Sequence, residues 1–166
     1  QFFAKFAENI SIKVSSDLKA WIKSLLVKLN ESSSKTNDIK EFLLEDPILQ
    51  QTCHLDLNPY SSDLTDKDLM ILSPVGLKCF TQLTSLKLTF SCSKELTDEG
   101  LSNLGSQGLR YLVNLRALSL GFVSCQDITD QGVSNLCSQG LIYLKQLTFL
   151  SLDFHESRNI TDQGVS

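Results

Sequence analysis

Apolar and polar residues alternate over Leu86-Lys87-Leu88-Thr89-Phe90, the two-residue period of a strand with one buried face. The stripe returns as Leu118-Ser119-Leu120-Gly121-Phe122 and as Leu150-Ser151-Leu152-Asp153-Phe154, each time 32 residues further on. After every stripe the period changes. Leu96-Thr97-Asp98-Glu99-Gly100-Leu101 comes back as Ile128-Thr129-Asp130-Gln131-Gly132-Val133 and as Ile160-Thr161-Asp162-Gln163-Gly164-Val165. Thr97 suits a helix N-cap, and Asp98 places negative charge in the first turn, where the helix dipole favours it. Leu101, Leu104, Leu109 and Leu112 then make an apolar helical stripe. Gly100, Gly132 and Gly164 let the start of the helix approach a neighbouring backbone closely. Gly108 and Gly140 fall inside the helical pattern, at a cost of about 1 kcal/mol each relative to Ala. They either bend the helix or end it.

A degenerate copy precedes these three. Leu55 and Leu57 supply a short strand, and Leu64-Thr65-Asp66-Lys67-Asp68-Leu69 matches the second block, with Asp68 where the other copies have Gly. This strand sits one residue out of step, so its following loop is shorter. Residues 1–50 lie outside the regular array and read as a helical N-terminal segment. Ser16-Asp17 starts one amphipathic helix through Leu29, and Asn37 or Asp38 caps a second, ended by Pro47. Phe2, Phe3 and Phe6 suggest a short apolar turn before them.

Strand, loop, helix and return turn, repeated, predict an α/β fold. Parallel strands should centre near residues 55–57, 86–88, 118–120 and 150–152. A helix should follow each, starting near Thr65, Thr97, Thr129 and Thr161. The leucines should fill the space between the layers, with Phe90, Phe122 and Phe154 stacked at the strand ends.

LxxLxL followed by (I/L)TDxG(L/V) resembles a leucine-rich repeat. The T-D-x-G signature resembles the cysteine-containing type and the long helical half the ribonuclease-inhibitor-like type. The match spans residues 51–166: three clear copies, a degenerate first, and a last one cut short. The resemblance implies a horseshoe solenoid, strands on the concave side and helices outside, that binds a protein partner on its strands. The unit here is longer than the usual 20–29 residues. Ser93 and Ser157 stand where Cys125 occupies the loop of the middle copy. Long units with SQGL and ITDQG are also similar to large leucine-rich arrays of single-celled eukaryotes, some attached to protein kinase domains. Ser16-Asp17-Leu18-Lys19-Ala20-Trp21-Ile22 resembles the penultimate helix of a kinase C-lobe, and Asp46-Pro47 the dipeptide after its last helix. The Arg that usually anchors the intervening segment is absent, with only Lys35 nearby. The alternative is two amphipathic helices that cap the first repeat.

Composition narrows the chemistry. The 166 residues carry a net charge of −4 and are 42% hydrophobic, a globular balance. No basic tract offers a footprint for nucleic acid, and no apolar run is long enough to span a membrane. Cys53, Cys79, Cys92, Cys125 and Cys137 form no CxxC pair, and the odd number suits reduced thiols in a cytoplasmic protein. Neither His54 nor His155 has a cysteine at zinc-ligand spacing, so no metal or cofactor is expected. The recurring Thr-Asp pairs read as caps rather than catalytic carboxylates. Asn9, Asn30 and Asn159 match the short glycosylation pattern, which the thiols argue against. No glycine-rich phosphate loop, HRD or DFG occurs, and no catalytic residue is assigned. The expected role is a non-enzymatic interaction module or scaffold. The alternatives are the regulatory or targeting array of a kinase whose catalytic residues lie upstream, and an F-box-type adaptor, which lacks its Leu-Pro start here. Among the residues that alternate with the strand leucines, Lys87, Phe149, Asp153, His54 and Asp56 are the candidate partner-binding set.

Overall fold

Equivalent leucines of successive copies lie side by side. Leu86 pairs with Leu118 and Leu118 with Leu150, while Leu88 pairs with Leu120 and Leu120 with Leu152. The computed structural model describes residues 11–14, 53–57 and 64–164. Its strands are β1 (Ser11–Val14), β2 (His54–Leu57), β3 (Ser85–Ser91), β4 (Ala117–Val123) and β5 (Phe149–Asp153). They form one parallel sheet in chain order. Helices α1 (Asp66–Ile71), α2 (Asp98–Asn103) and α3 (Asp130–Gln139) lie in the crossovers, each beside the next. The register of β2 with β3, His54 opposite Ser85, is one residue short of the 32 that separates the later strands, as the degenerate copy predicts. After Thr161 the described chain makes one turn at residues 162–164, with Gln163 N–H donating to Thr161 Oγ1 at 3.2 Å.

β1 was not expected. The N-terminal segment reads as helical, yet Ser11–Val14 pairs with β2 and extends the sheet. Its sequence, Ser-Ile-Lys-Val, alternates and carries β-branched Ile12 and Val14, a strand signal too short to stand out without the partner beside it. The helices read over residues 16–29 and 37–46, and Phe2, Phe3 and Phe6, lie outside the described residues.

The helical stripe resolves into a break. Leu101, Leu104, Leu109 and Leu112 are all buried, but Leu104 and Leu109 are five apart, more than one α-turn. The chain accommodates this with a π-helical turn at Leu104–Gly108, then a 3₁₀ turn at Leu109–Tyr111. The first copy does the same at Leu72–Gly76 and Leu77–Cys79. The third keeps an α-helix to Gln139, where Gly140 ends it. Gly140 also packs on Gly105 so closely that a Cβ would meet Gly105 Cα at 2.7 Å. Gly140 thus ends its helix, and the bare Gly105 backbone admits it from the neighbouring copy.

One apolar layer joins sheet and helices. Leu86, Leu88, Leu118 and Leu120 of the strands and Leu101, Leu104, Val133 and Leu136 of the helices are at most 1% exposed. Phe90, Phe122 and Phe154 stack at 5.4 and 5.6 Å between ring centroids. β5 is the last strand described, and the equivalent leucine there, Leu150, is 45% exposed. Leu118→Ala should therefore cost about 2–5 kcal/mol. Leu150→Ala should cost about 1 kcal/mol or less, because much of its side chain already meets water. Denaturant titration of the two variants checks this; equal losses would show that Leu150 is covered in solution.

Candidate functional site

A parallel sheet is ordinarily covered on both faces. Here the helices lie on the leucine side of β2–β5, and on the opposite side His54, Lys87 and Phe149 are exposed. Three rows run across this open face. His54, Ser85, Ala117 and Phe149 make the first, Asp56, Lys87, Ser119 and Ser151 the second, and Thr89, Gly121 and Asp153 the third. Lys87 Nζ lies 3.7 Å from Asp56 Oδ2, a solvated pair of little energetic weight. Phe149 is 58% exposed, the most open of the described aromatic rings. Asp153 accepts from His155 N–H at 2.9 Å, which fixes the turn after β5.

The five candidate residues thus fall into two groups. Asp56 and Lys87 touch, with His54 on the same edge. Phe149 and Asp153 lie on β5, two strands and about 10 Å from Lys87. The residues between them, Ser119, Ala117 and Gly121, are small, so the face is a shallow floor flanked by larger side chains.

The T-D-x-G block holds the copies together. Thr97 Oγ1 caps α2, accepting from Glu99 N–H at 3.2 Å. Asp98 does more than face the helix dipole. Its carboxylate reaches the next copy and accepts from Thr129 N–H at 2.8 Å and from the Thr129 hydroxyl at 2.6 Å. Asp66 receives Thr97 in the same way at 2.9 and 2.6 Å, and Asp130 receives Thr161 at 2.7 and 2.6 Å. Glycine closes the motif: a Cβ on Gly100, Gly132 or Gly164 would collide with the carboxylate of the preceding copy's Asp. In the first copy Asp68 replaces that glycine. Thr65 N–H and its hydroxyl donate to Asp68's carboxylate, at 2.8 and 3.0 Å, instead of to a preceding Asp. The repeated Asp residues are structural acceptors, already occupied.

A second ladder lies in the strand-to-helix loops. Cys92, Ser124 and Glu156 each adopt φ of 57–61°, a left-handed turn that costs about 1–2 kcal/mol per non-glycine residue. It swings the next side chain, Ser93, Cys125 or Ser157, into the interior. The Ser157 hydroxyl donates to Phe122 O at 2.8 Å and accepts from Cys125 N–H at 3.2 Å. Cys125 Sγ stands 3.7 Å from Phe90 O, one repeat earlier. Serine and cysteine therefore do the same work at this position. Burial pushes the Cys125 thiol above its ordinary value, with the Ser93 backbone hydrogen bond opposing. A protonated, buried thiol is not a nucleophile. Of the glycosylation-pattern residues, Asn159 donates to Gln126 O at 2.7 Å and ties two loops together; Asn9 and Asn30 lie outside the described residues.

The opposite edge, where helices return to strands, carries a stack that sequence inspection missed. Lys78 Nζ sits 4.0 Å above the Tyr111 ring, and the Arg110 guanidinium 4.6 Å above Tyr143. The signal was present: a cation or aromatic recurs at 78, 110–111 and 143, almost one repeat apart. Only the return turns show that these residues meet.

Among the described residues no three of His, Cys, Asp and Glu gather as metal ligands, and no helix is long and apolar enough to cross a membrane. The chain matches no protein-family model and no curated protein sequence.

Asp98→Ala should cost about 1–3 kcal/mol, since it strands a backbone N–H and a hydroxyl that now meet a charged acceptor. Gly132→Ala should also destabilise, because its Cβ needs the space of the Asp98 carboxylate. Together the two should cost less than their sum by at least about 0.5 kcal/mol, as one removes the group the other strikes. Additive losses in a double-mutant cycle by denaturant titration would refute the contact.

Asp130 titrates below the ordinary carboxylate value, chiefly because the Thr161 hydroxyl and N–H donate to it. The folded chain then holds this proton more weakly than the unfolded chain. The contribution of the Asp130–Thr161 contact is complete above the ordinary carboxylate value and is lost as pH falls through the depressed one. Carbon-detected NMR titration should show the Asp130 midpoint rising toward normal in Thr161→Val. An unchanged midpoint would mean the hydroxyl does not hold the carboxylate.

Proposed function

We propose that this chain is a leucine-rich-repeat array of the ribonuclease-inhibitor-like or cysteine-containing type. In this reading it is a horseshoe solenoid that serves as a cytoplasmic scaffold, binds a protein partner and performs no reaction of its own. The observation that carries the reading is the face of the parallel sheet that no described helix covers. Leaving that face to solvent forgoes the burial that a second helical layer would supply, about 25 cal/mol for each Å² of apolar surface. A face kept open at that cost suits an interaction surface. Its composition fits as well: a shallow floor of small residues, an exposed Phe149 to supply burial, and charges at Asp56, Lys87 and Asp153 to set orientation.

The occupied Asp-Thr ladder and the inert Cys125 support the non-enzymatic reading, because the recurrent polar groups are already used for structure. The test is site-directed photo-crosslinking in cells, with a benzophenone amino acid at position 149 in one protein and at position 126, on the loop edge, in another. Position 149 should trap a defined protein partner, and Lys87→Ala with Asp153→Ala should reduce the yield. A partner trapped only from position 126 moves the site to the loops. No partner from either position would sink the interaction reading of both surfaces.

A further inference from the structure

The two long edges of the repeat stack differ in charge. The three return segments, residues 72–84, 104–116 and 136–148, contain Lys78, Arg110, Arg116 and Lys145 and not one acidic residue. The rest of the described repeats from residue 85 onward carries eight acidic residues against three basic ones. In a chain of net charge −4, the return edge is thus a local field of positive charge. The helix dipole accounts for a cation in the last turns, where Lys78 and Arg110 sit. It does not call for exposed apolar side chains beside them. Tyr111 is 46% exposed, Tyr143 44%, Val113 56% and Ile142 56%. The open sheet face, by contrast, exposes a single aromatic ring among the described residues, Phe149.

We infer that the return edge is a second docking surface, and that its occupant is an acidic protein segment with apolar side chains interspersed. This rests on the interaction-module reading and adds a site to it. Tyrosine and arginine are the residue types that carry binding energy at protein interfaces. Here they are held in place beforehand: Lys78 lies over Tyr111 and Arg110 over Tyr143, so the cations are fixed by contacts between successive repeats. Less rotamer entropy remains to be lost on binding. Carboxylates of the partner would meet the cations, and its apolar side chains Val113 and Ile142. The same stacking disfavours nucleic acid, because a ring face already covered by a cation is no platform for a base. It also disfavours a membrane surface. The cations number four, at the bottom of the range for lipid-binding clusters, and Lys78 and Arg110 are tied to the rings.

The test is selection of 16-residue peptides from a random display library on the full immobilised chain. Fluorescence anisotropy of the selected peptides at low and moderate salt follows. The peptides should be enriched in Asp and Glu with apolar residues between. Arg110→Glu and Tyr143→Ala should each weaken binding at least tenfold, with unchanged thermal unfolding. Lys67→Glu, the same charge change on an exposed residue of α1, should weaken it less than twofold. Cross-linking from a probe at position 113 reports the site independently, should Arg110→Glu alter the fold. Selected peptides without acidic enrichment, or peptides that label position 149 rather than 113, would overturn the edge site and leave the interaction module standing. Recovery of no peptide at all would count against the module itself. Tighter binding of oligouridine, or of vesicles of phosphatidylserine and phosphatidylcholine, than of any acidic peptide would overturn the proposed partner. So would self-association in sedimentation that Arg110→Glu abolishes.

Discussion

One carboxylate per copy, held by the threonine of the next, is the contact on which the stack depends. Asp98 spans 31 residues of sequence to reach Thr129, and its two acceptors take both donors that Thr129 offers. The bond sets how far apart successive helices begin. The loop between strand and helix then sets the strand register: the first copy, whose loop is one residue shorter, makes the same bond from Asp66 but pairs His54 with Ser85, 31 residues on. Glycine follows from the same contact, because the carboxylate occupies the volume that a Cβ would need. The first copy shows the dependence from the other side: where Thr65 bonds within its own copy, the motif supplies Asp68 in place of glycine.

With that spacing set, the apolar layer stacks like on like. Leucine meets leucine across the strands, and Phe90, Phe122 and Phe154 form a continuous aromatic column at the strand ends. The column requires the chain to turn sharply after each strand. That is where Cys92, Ser124 and Glu156 take up left-handed backbone. The strain is offset by hydrogen bonds between copies, such as Ser124 N–H to His155 O at 2.8 Å. Polar side chains in the interior are used the same way, with Ser157 and Cys125 bonding the strand-end carbonyls of the copy before. Each copy satisfies groups that its neighbour leaves open, so no copy is expected to be stable alone.

The surfaces divide the remaining tasks. The described helices leave one sheet face bare, a floor of small residues flanked by larger ones, and the two edges separate charge. Acidic residues gather where helices begin, in keeping with the dipole, and cations gather where helices end. The tyrosines inserted among those cations have no part in the leucine layer. They are the feature of the described repeats that packing explains least and recognition explains best.

Repetition made much of this legible beforehand. The two-residue period over residues 86–90, its return after 32 residues and the T-D-x-G block placed β2–β5 and α1–α3 correctly. They also placed the one-residue slip of the first copy and the phenylalanine column. A pattern of that kind reports which face each residue occupies, and burial follows from the face. Contacts between copies were not legible, because a period states that positions are equivalent and not that they touch. By period alone Asp98 reads as a partner of its own helix, whereas its carboxylate holds the next copy's Thr129. Gly132 read as a general allowance for close approach, without the carboxylate that demands it. Ser93 and Ser157 read as departures from cysteine, though a buried hydroxyl and a buried thiol can serve the same carbonyl. Lys78 and Tyr111 lie 33 residues apart, and only stacked return turns bring the ammonium over the ring. The strand Ser11–Val14 was hidden for a related reason: four residues carry too little periodicity to identify a strand, and the edge of β2 decides it. Sequence by itself determined the elements, their order and their buried faces, because those depend on local period. Tertiary structure alone decided which polar groups pair and where surface charge collects, because those depend on distances the period does not contain.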